Sequence, residues 1–218
     1  MNKEIKKLLI ITLILIVIKV LFSLLVSTPT IYSDEFIYIK NAQSFFQNME
    51  ISLNGLKTAI YPPLYSILLS LSFIFQNVNI AYILMKIINT ILSTLIIIPT
   101  YLLTKEFLDK KKSLIVAGII GILPMIMVFT PFIMSENLFY TLYLTSIYFI
   151  YKTLTKKENK YSILAGISIG LTYLTKFAGI SLVAIVILIL IYKIYKKEYS
   201  YIKFAIIMGL VSLVVISP

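Results

Sequence analysis

The chain has 218 residues, 60% of them hydrophobic, and a net charge of +11 carried entirely by lysine, with no arginine. Cysteine, histidine and tryptophan are absent, which excludes disulfides, thiol nucleophiles, histidine bases, Cys/His zinc sites and bidentate arginine clamps. A mean hydropathy of +0.98 and long apolar runs point to lipid as the solvent, and leave acid–base chemistry to carboxylates, lysine and tyrosine.

Residues 8–26 form the first apolar run, interrupted only by Lys19. The run is too long for a cleaved signal peptide and no small-residue cleavage site follows it. Four lysine clusters separate the later runs: Lys3/Lys6/Lys7, Lys105 with Lys110–Lys112, Lys152/Lys156/Lys157/Lys160 and Lys193/Lys196/Lys197/Lys203. Short clusters between apolar runs are the positive-inside pattern rather than a nucleic-acid patch, and place all four on the cytoplasmic side.

Parity then threads the chain as an all-α, polytopic membrane protein with about seven transmembrane helices. The expected spans are 8–26, 80–104, 113–131, 136–152, 161–175, 177–193 and 204–217, starting from a cytoplasmic N-terminus. Residues 27–79 become an extracytoplasmic first loop. Within it, 62–75 would reach only about 21 Å as a helix, short of a core of about 30 Å, and reads as an interfacial helix. Counting it as a span would put Lys105–Lys112 outside. Residues 34–49 form an amphipathic helix with Tyr38, Ala42, Phe45 and Met49 on one face.

Only nine carboxylates exist. Glu4, Glu106, Asp109, Glu158 and Glu198 sit inside the lysine clusters as solvated mixed-charge loops. Asp34, Glu35, Glu50 and Glu136 fall outside. Asp34 and Glu35 open the amphipathic helix, where an N-cap and a dipole-favoured acid explain them as well as chemistry does. Glu136 is the only acid between Leu114 and Tyr151, and an ionisable group at membrane depth usually faces a cavity. Lys40 and Lys57 suit a solvated loop. Lys86 and Lys176 suit snorkelling or an anionic partner such as a lipid phosphate. Lys19 pairs with an acid or snorkels. Outer carboxylates among scattered lysines suit chemistry on a phospholipid-like donor, with a carboxylate as general base and lysines neutralising a departing phosphate. Nucleotide-phosphate loops are absent.

Four segments resemble the GT-C superfamily of polyprenyl-phosphate-sugar glycosyltransferases, which includes the protein O-mannosyltransferases and the lipid A aminoarabinose transferases. They are Ser33-Asp34-Glu35-Phe36-Ile37-Tyr38, Tyr61-Pro62-Pro63-Leu64-Tyr65, Pro131 with Ser135-Glu136-Asn137-Leu138-Phe139, and Gly170-Leu171-Thr172-Tyr173-Leu174-Thr175-Lys176-Phe177. The resemblance runs from about residue 8 to 218. It implies a membrane glycosyltransferase that moves a sugar from a polyprenyl (dolichyl or undecaprenyl) phosphate to an outer-face acceptor hydroxyl on a protein, lipid or glycan. It implies Asp34 as catalytic base, with Glu35 and Glu136 beside it. Lys86 and Lys176 would lie near the lipid phosphate, joined by Tyr61 and by Lys57 as the substitute for a basic residue that some relatives carry beside the proline. No metal ligands are assigned, and a divalent cation is left open as cofactor. The partners implied are the lipid-linked sugar, its acceptor and membrane lipids, without nucleic acid. Residues 1–218 read as one N-terminal GT-C-like module lacking the family's usual C-terminal helices and soluble domain. Two alternatives stand beside this reading: a transporter or channel subunit, and a non-catalytic fragment of a longer glycosyltransferase.

Overall fold

The computed structural model describes residues 3–26, 33–53, 56–57, 60–75 and 77–217. They divide into two units, Met1–Thr141 and Leu142–Pro218.

The first unit begins with α1 (Lys3–Leu25). Its buried stripe is Leu8, Thr12, Leu15, Lys19 and Ser23, at steps of three and four residues. The faces between carry Leu13, Val17 and Leu21, about 60% exposed. A helix that hides its polar residues and shows its aliphatic ones is built for lipid rather than water. After α2 (Ser33–Asn48) comes a short antiparallel pair, β1 (Ser52–Leu53) and β2 (Leu56–Lys57), with Ser52 opposite Lys57. This hairpin departs from the all-helical expectation. Its signal was the Asn54-Gly55 dipeptide, a favoured two-residue hairpin connection.

Next come α3 (Leu64–Ser70), a 3-10 turn (Leu71–Ile74) and α4 (Val78–Thr94). Asn77 caps α4, its side chain accepting from the amides of Asn79 and Ile80 at 2.9 and 3.3 Å. Between α4 and α5 (Ile97–Thr104) the ladder breaks. Pro99 has no N–H for the carbonyl of Leu95, which accepts from Ile98 at 3.0 Å instead. The expected span 113–131 is interrupted. α6 (Lys110–Gly121) ends before Pro124, and α7 (Pro124–Phe129) restarts with that proline in its first turn. Pro124 favours an extended residue before it, and Leu123 has ψ 139.

The second unit holds the rest of α8 (Glu136–Lys156), then α9 (Asn159–Thr175), a 3-10 turn (Phe177–Gly179), α10 (Ile180–Tyr195) and α11 (Ser200–Ile216). Ile150, Ala165, Ile169, Leu182 and Met208 form its core. α9 meets α11 at two glycines. A Cβ on Gly166 would lie 2.7 Å from the Met208 carbonyl, and one on Gly170 would lie 2.7 Å from Val215 Cβ. The Tyr201 hydroxyl donates to the Leu154 carbonyl at 3.0 Å, tying α11 to the end of α8.

Among the described residues three helical stretches are long and apolar enough to cross a membrane: Lys3–Leu25, Val78–Thr104 and Phe177–Tyr195. Leu64–Ile74 and Ser200–Ile216 are shorter apolar helices. Leu64–Ile74 is about 16 Å long, so the segment read as interfacial is too short to span by itself.

Candidate active site

The polar residues of the first unit gather where α2, α3, α4 and the segment before α8 converge. Asp34 is half-buried in the first turn of α2. Its Oδ1 accepts from the Tyr61 hydroxyl at 2.7 Å and from Ser33 Oγ at 3.3 Å. Among the described residues its Oδ2 accepts no hydrogen bond. Tyr61 is pushed up to about 12, first by its hydrogen bond to Asp34 and then by burial. It therefore remains a donor to the carboxylate at any physiological pH.

The Tyr61 ring lies 4.9 Å from that of Tyr38, which in turn meets Tyr65 edge-on at 4.9 Å. Tyr38 and Tyr65 are buried, and burial raises both hydroxyls above the ordinary tyrosine value. Tyr38 donates to Ser135 Oγ at 2.9 Å, and Ser135 makes a long 3.5 Å contact to Glu136 Oε2. Tyr65 donates to Asn89 Oδ1 at 2.5 Å, while Asn89 Nδ2 donates to the Phe132 carbonyl at 2.6 Å. Asn137 Nδ2 faces three carbonyls, those of Phe129, Phe132 and Met134, at 2.8 to 3.2 Å. Two carboxamides thus hold the non-helical segment 130–135 in place and set Glu136 at the start of α8.

Glu35 is 1% exposed. Its Oε1 accepts from the Tyr82 hydroxyl at 2.5 Å and from the Ile133 amide at 3.1 Å. It joins α2 to α4 and to segment 130–135. Lys86 is buried beside it. Its Nζ donates to the carbonyls of Ser23 and Val26 at 3.0 and 2.7 Å, and lies 5.4 Å from the Tyr82 ring. Lys86 therefore does not snorkel: it caps the end of α1. At 100° per residue, Asp34, Tyr38 and Asn41 fall on one side of α2, and Glu35, Phe36, Ile39, Lys40 and Gln43 on the other. Lys86 borders the Glu35 side of α2, while Asp34 turns to Tyr61.

Of the other candidates, Lys57 lies in β2, and its side chain lies outside the described residues. Lys176 follows α9 in the second unit, its amide bonded to the Thr172 carbonyl at 3.0 Å. Gly179 closes this turn, where a Cβ would lie 2.8 Å from the Tyr173 amide nitrogen. Lys19 is fully buried and donates to Ser93 Oγ at 3.2 Å. Among the described residues no three carboxylates, histidines or cysteines gather as a metal site. Sequence reading missed Tyr38, Tyr82, Asn89 and Ser135. Asn89 was visible as a carboxamide inside an apolar run. The partners of Tyr38 and Tyr82 are distant in sequence and left no local pattern.

Residues 61–218 match the family model described as dolichyl-phosphate-mannose-protein mannosyltransferase. No curated protein matches the sequence. The structure is similar to the oligosaccharyltransferase of Archaeoglobus fulgidus in its apo form, with a TM-score of 0.71 at 20% identity. It is also similar to the archaeal oligosaccharyltransferase AglB from Archaeoglobus fulgidus in complex with an inhibitory peptide and a dolichol-phosphate, with a TM-score of 0.69 at 19% identity. Each comparison covers 94% of this chain and 29% of the other, so the chain spans less than a third of those structures. At that identity the likeness establishes a shared fold. The family match covers most of the chain, and with the apolar helices it marks a membrane protein. The chain belongs to the dolichyl-phosphate-mannose-protein mannosyltransferase family, within the GT-C superfamily.

Proposed function

We propose that this chain is a catalytic module of a membrane glycosyltransferase that moves a sugar from a polyprenyl phosphate to an acceptor hydroxyl on the extracytoplasmic face. The single observation that carries the reading is Asp34, a carboxylate with one oxygen fixed by Tyr61 and the other available, linked through Tyr38 and Ser135 to Glu136. The described purpose of the matching family and the dolichol-phosphate in one structural neighbour support a lipid-linked donor.

In this reading Asp34 Oδ2 takes the proton of the acceptor hydroxyl as its oxygen bonds to the anomeric carbon. The bond from that carbon to the phosphate oxygen breaks, and the lipid phosphate leaves with the electron pair. Tyr61 orients the base, and Glu136 shapes the outer wall with Ser135. By the resemblance, Lys57 and Lys176 are the cations assigned to the departing phosphate; Lys86, expected beside them, borders the Glu35 side of α2 and is left out of that role. About seven spans with a cytoplasmic N-terminus put Asp34 and Glu136 outside.

The test is transfer from labelled polyprenyl-phosphate sugars in membranes, wild type against Asp34→Asn. Loss of a general base lowers the rate by about 10² to 10⁴-fold, with membrane insertion unchanged. An Asp34→Asn protein that transfers at the wild-type rate overturns the assignment.

A further inference from the structure

The side of α2 that faces away from Asp34 borders a cleft of about 710 Å³. This is the size of a small-molecule site. The end of α1, α2, the 3-10 turn and α4 enclose it, with Leu24, Phe36, Ile39, Phe73, Val78 and Ile83 as apolar walls. Phe36, Val78 and Ile83 are 53%, 76% and 44% exposed, so the walls open outward from the fold. On helices whose outer surfaces are aliphatic, the medium that enters is lipid.

The polar groups of the cleft are arranged for an anion. Two ammonium groups, Lys40 and Lys86, meet one carboxylate, Glu35. Glu35 is occupied, its Oε1 taking both the Tyr82 hydroxyl and the Ile133 amide. Lys86 is 4% exposed and held by the carbonyls of Ser23 and Val26 at the end of α1. An ammonium has three protons, and among the described residues the third has no hydrogen-bond partner. Lys40 stands one turn further along α2, 5.9 Å from the Phe36 ring and 3.4 Å from Gln43 Oε1. The cleft is thus an apolar channel with a fixed cation at one end and an adaptable one along its wall.

We propose that this cleft binds an anionic phospholipid, its phosphate between Lys86 and Lys40 and its chain along Phe36, Ile39 and Ile83. The occupant is an accessory lipid and not the reacting donor, because Asp34 lies on the opposite side of α2 and does not line the cleft. The lipid braces α2 against the end of α1 and α4, and so steadies the helix that carries the base. This inference rests on the membrane placement of the chain and stands whether or not Asp34 is the base.

Native mass spectrometry of the purified full chain, titrated with phosphatidylglycerol, phosphatidylcholine or a polyprenyl phosphate, tests it. We expect one phosphatidylglycerol retained in preference to phosphatidylcholine. Lys86→Met should weaken that retention at least tenfold, and Lys40→Glu several-fold. Lys40 has no part in holding α1, so its variant decides the matter if Lys86→Met fails to fold. Asp34→Asn should leave lipid retention unchanged, which separates this inference from the assignment of the base. Equal retention of the two phospholipids, or variants that bind like wild type, overturns the proposal. Displacement of phosphatidylglycerol by the polyprenyl phosphate, with the same dependence on Lys86, also overturns it and gives the cleft to the donor.

Discussion

Tyr61 reports on Asp34 through its own titration. Its folded value of about 12 exceeds the ordinary 10.0 because the hydrogen bond to Asp34 favours the protonated hydroxyl. A raised folded value means that the contribution to stability is complete below about pH 10 and is lost as the pH rises through 12. Tyr38 and Tyr65 also titrate late, because they are buried, so the test is the difference between proteins: tyrosinate absorbance should lose a component near 12 in Tyr61→Phe, and that component should move down toward 10 in Asp34→Asn. A Tyr61 that titrates near 10 in the wild type would contradict the bond. Scarcity made the carboxylates legible: with so few acids, Asp34, Glu35 and Glu136 stood out from the sequence. Their division of labour did not. Adjacent residues on a helix point about 100° apart, and only the fold shows that Glu35 turns inward to Tyr82 while Asp34 turns to Tyr61.

Among the elements, the α9–α11 contact depends on small residues. Gly166 and Gly170 sit four apart and let the backbones approach, the small-xxx-small pattern common between membrane helices. The Met208 carbonyl cannot move aside as a side-chain end can. Gly166→Ala should therefore cost about 1–3 kcal/mol, and Gly166→Leu should part the two helices, read as a lower Tm and lost cross-linking between cysteines placed on α9 and α11. An unchanged Tm in Gly166→Leu would show that the contact carries no stability. Most helices were legible from apolar runs and lysine clusters, with ends within a few residues. The break between α6 and α7 was missed because hydropathy does not register it: Gly121 to Pro124 is apolar throughout, and only the missing proline donor and the extended Leu123 divide it.

For the whole molecule, topology is the property that the charge pattern predicts most directly. The chain has no cysteine, so single introduced thiols report sidedness without background. Lys111→Cys should react with a membrane-impermeant reagent only after permeabilisation, and Gln47→Cys, exposed near the end of α2, should react in intact cells. The reverse pattern would turn the molecule over and place Asp34 in the cytoplasm. Helix order and the membrane class were readable because both follow from composition and periodicity. The fastening of the site was not, because it is made by residues far apart in the chain. The Glu35 carboxylate and the Ile133 amide are separated by 98 positions, and Tyr38 and Ser135 by 97. During synthesis that interval lasts about 5 to 20 s. For that time α2 has left the ribosome while Glu35 still lacks its backbone donor, and α2 is not fastened until the segment before α8 arrives. Fastening of α2 is thus a late event in the life of the nascent chain, and a ribosome stalled before residue 133 would leave α1 and α2 made but Glu35 and Tyr38 without their distant partners.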